Sequence, residues 1–130
     1  MKMKLKNFLA LIIVTLIAIN SYSQTAGSVV LSAQDKQNSK TFIKSKGKNR
    51  LVVFNQLKNL IKTNAELIYS KTKFALTTQQ EVIVLLGQPD KKTSPYTFEY
   101  NLDSNGKGCL VVISFNENGE ALNCSVYDCN

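Results

Sequence analysis

Apolar residues near the middle of the chain recur with the 3.6-residue period of an amphipathic helix, at positions 53, 54, 57, 60, 61, 65 and 68. The opposite side of this stripe is polar and includes Asn55, Lys58, Lys62 and Glu66. The pattern predicts one helix over residues 51–69, followed by a connecting loop over residues 70–76.

A second, shorter helix is predicted by the signals at its two ends. Thr78-Gln79-Gln80-Glu81 has the form of a capping box, in which a threonine hydroxyl and a glutamate carboxylate satisfy free amides of the first turn. Gly87 can adopt the left-handed conformation that ends a helix, and Pro89 prevents the helix from continuing. The predicted buried face consists of Val82, Ile83, Leu85 and Leu86.

After Pro89 the apolar period changes to two, which is typical of half-buried strands. Three such stretches predict three strands with the core-facing residues Tyr96, Phe98, Tyr100 and Leu102; Cys109, Val111, Ile113 and Phe115; and Leu122, Cys124 and Val126. Asn105-Gly106 and Asn118-Gly119 separate the stretches, and Asn-Gly pairs favour tight hairpin turns. We therefore predict an antiparallel sheet in meander order.

A two-residue turn at Asn118-Gly119 would pair Glu117 with Glu120 and so fix the register of the second hairpin. The predicted cross-strand pairs are then Phe115 with Leu122, Ile113 with Cys124, and Val111 with Val126. These pairs make one side of the sheet apolar, and the two helices are the predicted elements that can cover it. The sequence thus predicts an α+β domain with two helices packed on one face of a three-stranded antiparallel meander sheet (ααβββ).

The first residues have the pattern of a secretory signal peptide. Lysines at positions 2, 4 and 6 precede a mostly apolar run from Phe8 to Ile19, which is shorter than the roughly 20 residues of a membrane-spanning helix. Ser21 and Ser23 suit a signal-peptidase site, so we expect residues 1–23 to be removed; an uncleaved anchor is the alternative. Because no cysteine precedes Cys109, we predict an exported protein, periplasmic or extracellular, without a lipid anchor.

Residues 24–50 are polar apart from two short apolar islands, which predicts a flexible leader before a domain over residues 51–130. Residues 36–73 contain ten basic residues, whereas seven acids and three lysines follow from Glu81 onward. Without the signal peptide, 13 basic and 9 acidic residues leave a net charge of +4. We expect at most a weak contact of this basic leader with an anionic membrane surface. Nucleic acid is not an expected partner, because Phe42 is the leader's one aromatic residue.

Composition removes several kinds of chemistry. The 130 residues contain no histidine, which excludes catalytic triads with an imidazole base and histidine-rich zinc sites. Asp90, Glu99 and Asp103 are close in sequence, but Asp90 belongs to the helix-stop motif and Glu99 faces away from the predicted core. No enclosed polar cluster follows from this pattern. We therefore expect no enzyme activity, no cofactor and no metal site.

Three cysteines in an exported chain leave at least one without an internal partner. In the predicted register Cys124 lies opposite Ile113, four residues along the strand from Cys109, which is beyond the roughly 7 Å that a disulfide can span between Cα atoms. Cys124 is therefore predicted to be a small core residue. Cys109 lies opposite Asp128 and beside Cys129, so a disulfide between Cys109 and Cys129 needs only a small departure from regular pairing. A reactive catalytic thiol is the less favoured alternative, because the sequence has neither a histidine nor a nearby cationic cluster to activate it.

A resemblance to the BamE/SmpA/OmlA group, which shares its fold with the β-lactamase inhibitor proteins, is carried by the stretch Thr77-Thr78-Gln79-Gln80-Glu81-Val82-Ile83-Val84-Leu85-Leu86-Gly87-Gln88-Pro89-Asp90. An aromatic strand and a second hairpin follow in that group, where this chain has Tyr96-Thr97-Phe98-Glu99-Tyr100 and Phe115-Asn116-Glu117-Asn118-Gly119. The resemblance covers about residues 51–128. The chain departs from the group at two points: no cysteine directly follows the signal peptide, where the group's lipoproteins carry a lipidated one, and Leu76 stands in place of a glycine.

The resemblance implies a protein-contact role, because in those families the exposed sheet face and nearby loops contact partner proteins. We accordingly expect a non-catalytic binding or scaffold module whose partner is another envelope or secreted protein. The contact surface implied by the resemblance consists of Thr97, Glu99, Leu110, Val112 and Tyr127. An ordinary solvent-facing side of a sheet is the competing interpretation of these residues. The alternative function is inhibition of a secreted enzyme or toxin, with the acidic loops around Asp103 and Glu117 entering a basic cleft.

Overall fold

The computed structural model describes residues 30–45, 49–103 and 108–129. In chain order these ranges contain the helices α1 (Ala33–Lys44) and α2 (Asn49–Leu57), a 3-10 turn (Lys58–Leu60), the helices α3 (Asn64–Tyr69) and α4 (Gln79–Leu86), and the strands β1 (Lys91–Ser94), β2 (Thr97–Asn101), β3 (Leu110–Phe115) and β4 (Ala121–Tyr127). The strands form one antiparallel sheet in the order β1-β2-β3-β4. The predicted α+β class is confirmed, whereas the predicted two helices and three strands are four of each in the described ranges. The predicted signal peptide and the Asn105-Gly106 turn lie outside those ranges.

The sequence predicts a flexible leader over residues 24–50, and the structure describes residues 30–45, 49 and 50 of this segment. Most of these residues are helical, so the prediction is wrong for them. Residues 33–44 form α1, which begins with a capping box: Ser32 Oγ accepts from Asp35 N at 3.0 Å, and Asp35 Oδ2 accepts from Ser32 N at 3.2 Å. Phe42 of this helix is completely buried in the same core as α4 and the sheet. The domain therefore begins before residue 51, because the apolar island at Phe42 is part of its core.

The single helix predicted over residues 51–69 is interrupted. After α2 and the 3-10 turn the chain is extended at Ile61, and α3 then begins with its own capping box between Thr63 and Glu66. The new helix axis changes which residues face the core. Ile68, which belongs to the predicted apolar stripe, is 68% exposed as a result.

Thr77 fixes this interruption and links it to the sheet. Its hydroxyl accepts from Lys62 N at 2.7 Å and donates to Leu60 O at 3.3 Å, and its own N–H donates to Lys62 O at 2.9 Å. The carbonyl of Thr77 accepts from Ala121 N, at the start of β4, at 2.8 Å. One buried threonine thus satisfies backbone groups of the break and of the neighbouring strand.

The end signals of α4 act as predicted. Thr78 Oγ1 accepts from Glu81 N at 3.2 Å, and Glu81 Oε2 accepts from Thr78 N at 2.8 Å. Gly87 ends the helix by donating its N–H to Ile83 O at 2.8 Å. Its backbone has φ 80° and ψ −174°, so it occupies a region open essentially only to glycine and differs from the left-handed helical conformation that we predicted.

The predicted core faces of β2 and β3 are confirmed except at Tyr96, for which the prediction is wrong. Their buried residues, together with those at the strand ends, are Phe98, Tyr100, Leu102, Cys109, Val111, Ile113 and Phe115. Tyr96 is exposed, because it lies in the turn before β2. The short strand β1, which the sequence did not predict, pairs with β2 and forms one edge of the sheet.

The register of β4 agrees with the prediction only beyond a bulge. Val111 pairs with Val126 and Ile113 with Cys124, as predicted, but Phe115 pairs with Ala121. The hairpin loop has three residues, with Gly119 at φ 77°, and the register shift at Phe115 makes Leu122 the extra residue of the bulge. Leu122, at the bulge, is 37% exposed. Val126 is 43% exposed although its pairing is the predicted one, because β4 is an edge strand. The prediction that both residues are buried is therefore wrong.

Candidate functional site

All five residues of the predicted contact surface lie on one face of the sheet, which we call the open face. Cross-strand pairing places Leu110 between Asn101 and Tyr127, and places Val112 between Glu99 and Ser125. Thr97 and Lys91 belong to the same face, as the partners of Ser114 and Glu99. The buried side chains of the described helices join the core cluster with Phe98, Tyr100, Val111 and Ile113, which point to the opposite face.

The open face combines apolar and charged side chains. Leu110 and Val112 are half-buried on the inner strand β3, and Tyr127 beside Leu110 is 50% exposed. Lys91 and Glu99 form a directly opposed pair of unlike charges on the neighbouring strands. Aliphatic residues with an exposed tyrosine and a polar border match the composition of protein–protein interfaces.

The acidic residues weighed as catalytic candidates are held in separate roles. Asp90 Oδ2 accepts from Arg50 Nη1 at 2.8 Å and from Asn101 N at 2.7 Å, so its carboxylate is used in the fold. Glu99 lies on the open face, and Asp103 Oδ2 accepts from Cys109 N at 3.4 Å. Among the residues that the structure describes, no three His, Cys, Asp or Glu side chains form a group that could hold a metal ion.

Glu117, one of the two acidic positions in the inhibitor hypothesis, is exposed in the loop between β3 and β4. The loop after Asp103 lies partly outside the described ranges. The structure therefore leaves the second acidic loop undescribed, and the inhibitor hypothesis stays a prediction.

The structure contains the disulfide between Cys109 and Cys129 that the sequence analysis considered, with the Cα atoms 4.5 Å apart. It joins the ends of the β3–β4 hairpin. Cys124 is a free, half-buried thiol. Burial, with a further contribution from the negative charge of Glu66, raises the pKa of Cys124 to about 12.

A groove between α3 and β4 is the feature that sequence reasoning missed. It has a volume of about 610 Å³, and its apolar walls are formed by Phe54, Ile61, Ala65, Tyr69, Cys124 and Val126. Two sequence signals point to it: the capping-box pattern of Thr63 and Glu66, which starts a separate α3, and the alternation that places Cys124 and Val126 on one side of β4.

The lysines of the predicted leader acquire a defined arrangement in α1. Lys36, Lys40 and Lys44 are exposed and follow one another at intervals of four residues, so they form a row along one side of the helix. The core-facing side of α1 carries Phe42 and Ser39. The weak contact with an anionic membrane surface stays a prediction for this row.

Comparisons of the chain with models of protein families, with curated proteins and with solved structures find no match. The resemblance to the BamE/SmpA/OmlA group therefore stays a prediction. Within the described ranges, none of the helices has the length and apolar character needed to span a bilayer.

Proposed function

We propose that the protein is an exported, non-catalytic binding module that uses its open face to contact another protein of the cell envelope or a secreted protein. The observation that carries the proposal is the placement of Leu110, Val112 and Tyr127 as neighbours on the open face, on the side of the sheet away from the helices. The partner expected from this chemistry presents a flat apolar surface with polar groups at its border.

Two further features support this role. The disulfide between Cys109 and Cys129 suits an oxidising compartment outside the cytoplasm, in agreement with the predicted signal peptide. The resemblance to the BamE/SmpA/OmlA group, itself a prediction, implies partner contact through the same side of the sheet and is the source of these contact residues. Neither feature requires a cofactor.

The proposal is tested by placing a photo-crosslinking amino acid on the open face of the full chain in its native host. We expect a probe at Val112 or at Tyr127 to form a discrete cross-link with one partner protein. A probe at Lys36, an exposed position on α1, provides the matched control and should not give that product.

A second experiment distinguishes loss of binding from loss of folding. Leu110→Ser with Val112→Ser should abolish the cross-link formed from Tyr127, while the urea midpoint shows that the variant still folds. Identical cross-links from the open face and from Lys36, or an unchanged product in the folded double variant, would refute the proposed contact surface.

A further inference from the structure

We propose that the outer edge of β4, together with the groove beside it, binds an extended acidic peptide segment of another protein by strand addition. The groove lies on the helix side of the sheet, opposite the open face, although Tyr127 belongs both to β4 and to the open face. The inference therefore extends the proposed binding role without depending on Leu110 and Val112. In this mode, backbone hydrogen bonds along the strand edge supply affinity, and a neighbouring pocket selects side chains.

The two edges of the sheet differ in the protection that they carry. The edge strand β1 has four residues and begins with Lys91 and Lys92, and short charged edge strands resist pairing with other chains. The edge strand β4 has seven residues, Ala-Leu-Asn-Cys-Ser-Val-Tyr, with neither a charged residue nor a proline. By the same criteria β4 is the edge that accepts another strand.

The direction of the backbone groups along β4 follows from the ladder. Phe115 N donates to Tyr96 O on the β2 side, so the neighbouring Ser114 directs its N–H and carbonyl toward its partner Asn123 on β4. Because these directions alternate along a strand, Cys124 and Val126 must direct their N–H and carbonyl groups outward, away from β3.

Only the start of this edge is covered within the described ranges. Gln79 N donates to Gly119 O and Ala121 N donates to Thr77 O, both at 2.8 Å. No backbone hydrogen bond between described residues joins the outer edge at Cys124 and Val126 to another element. For an added strand, these two residues therefore offer donors and acceptors that no other described element pairs with, beyond the segment at 77–79.

The groove lies on the same side as the side chains of these two residues. Cys124 and Val126 line it from the sheet, and Ala65 and Tyr69 line it from α3. Because the pKa of the Cys124 thiol is about 12, the thiol is neutral near pH 7 and the groove lining stays apolar at this point. Apolar side chains at alternate positions of an added strand would enter this groove.

The charges near the groove favour an acidic peptide. Residues 58–73, which include α3, contain the lysines Lys58, Lys62, Lys71 and Lys73 and one acid, Glu66. Lys58 and Glu66 line the groove directly, and Lys71 and Lys73 are exposed just after α3. The excess of positive charge complements carboxylates that flank the apolar part of a peptide.

The test measures binding of a labelled synthetic peptide, in which valine alternates with threonine before two terminal aspartates, to the full chain by fluorescence polarisation. We expect saturable binding that weakens by roughly tenfold or more when alternate peptide amides are N-methylated, because the side chains are kept while strand hydrogen bonds are lost. Replacing the aspartates by lysines should weaken binding to a similar degree.

Val126→Pro provides the matching change in the protein. It removes an outward N–H and leaves the N–H groups of Ser125 and Tyr127 for β3, and edge positions of this kind tolerate proline. We expect it to reduce peptide affinity roughly tenfold, whereas Val126→Thr, which keeps the N–H, should change affinity less than about twofold. Leu110→Ser with Val112→Ser should leave peptide binding unchanged, which separates this test from that of the open face.

Amide hydrogen exchange of the wild-type chain gives a readout that does not depend on a folded proline variant. The Cys124 and Val126 amides should exchange quickly in the free protein and slowly with the peptide, while the Ser125 amide is protected in both. Absence of binding at millimolar peptide, or binding insensitive to N-methylation, would overturn the inference. So would protection of the Val126 amide in the free protein, whether concentration-dependent, which indicates a second copy, or concentration-independent, which indicates a segment of the same chain.

Discussion

Arg50 Nη1 donates to Asp90 Oδ2 at 2.8 Å, joining two residues that lie 40 positions apart in the chain. The same nitrogen donates to Asn101 O at 2.8 Å, and Arg50 Nε donates to Phe42 O at 3.3 Å. The guanidinium carbon lies 4.3 Å from the centre of the Phe42 ring. One arginine thus connects the end of α1, the residue before β1 and the end of β2.

Replacing Asp90 by asparagine should destabilise the fold, because Arg50 is 8% exposed and would lose its counter-charge. We expect the free energy of unfolding to fall by about 2 kcal/mol, less than the roughly 3–5 kcal/mol of a fully buried pair, since the Asp90 side chain is 36% exposed. Urea denaturation of D90N, R50M and the double variant measures the coupling. If the loss of unfolding free energy in the double variant equals the sum of the losses in the two single variants, the pair contributes no specific stabilisation.

Gly87→Ala should destabilise the protein for two reasons. The backbone at φ 80° and ψ −174° is essentially restricted to glycine, and an added Cβ would lie 3.1 Å from Ile43 Cγ1 on α1. We expect a loss of about 2–3 kcal/mol in urea denaturation. Gly119→Ala is the matched control, because its φ is 77° but its nearest contact would be Gln79 at 3.8 Å. An equal or larger loss for Gly119→Ala would contradict the contribution of Ile43.

The elements that could be predicted are those specified by their own local sequence. Thr78 and Glu81 have the three-residue spacing of a capping box, and Gly87 with Pro89 marks the end of α4. The period of two in β2 and β3 likewise depends only on which face is buried. The same alternation of side chains between the two faces of a strand places the predicted contact residues on the open face. This alternation depends only on the order of residues within each strand and not on where the helices lie.

The missed elements depend on contacts between distant segments. In α1, Phe42 and Ser39 are the buried side chains, too few to give a helical period, and Ser39 Oγ donates to Leu85 O at 2.7 Å, 46 residues away. The strand β1 is an exposed edge, so Lys91 and Lys92 show no apolar alternation. The groove also requires the interruption that Thr77 stabilises, and this does not follow from the period of the apolar residues, although the pairings of Cys124 and Val126 are as predicted.

The disulfide between Cys109 and Cys129 should be a major source of stability. It closes a chain segment with a sequence separation of 20, for which the loss of unfolded-state entropy corresponds to about 3 kcal/mol. We expect a reductant to lower the urea midpoint of the wild-type chain toward that of C109S/C129S, and to leave the midpoint of that double variant unchanged. A wild-type midpoint that does not respond to the reductant while the disulfide is verifiably reduced would contradict this expectation.

The free thiol of Cys124 should react slowly in the folded protein. Burial first, and then the charge of Glu66, raises its pKa from the ordinary 9.0 to about 12, and only the thiolate is nucleophilic. Three pKa units lower the thiolate fraction at pH 8 by roughly a thousandfold. Alkylation by iodoacetamide should therefore be much slower in buffer than in concentrated urea, with the higher intrinsic nucleophilicity of a high-pKa thiolate offsetting part of that factor. Comparable rates in the two solvents would show that the thiol is exposed.

The hydroxyl of Tyr100 should make stability depend on pH in the alkaline range. It donates to Gly87 O at 2.8 Å, and burial, with a smaller contribution from the charge of Asp90, raises its pKa well above the usual 10. Above pH 10 the unfolded chain releases a proton that the folded protein retains, so this contribution is complete below about pH 10 and decreases as the pH rises.

Tyr100→Phe separates the hydrogen bond of this hydroxyl from its ionisation. At pH 7 the variant should lose about 1 kcal/mol of stability, because Gly87 O loses its donor. Above pH 10 its free energy of unfolding should fall less steeply than that of the wild-type chain, since phenylalanine has no proton to release, and the two stabilities should converge. Urea denaturation at pH 7, 9 and 11 measures this difference, and parallel pH profiles would show that Tyr100 ionises equally in the folded and unfolded states.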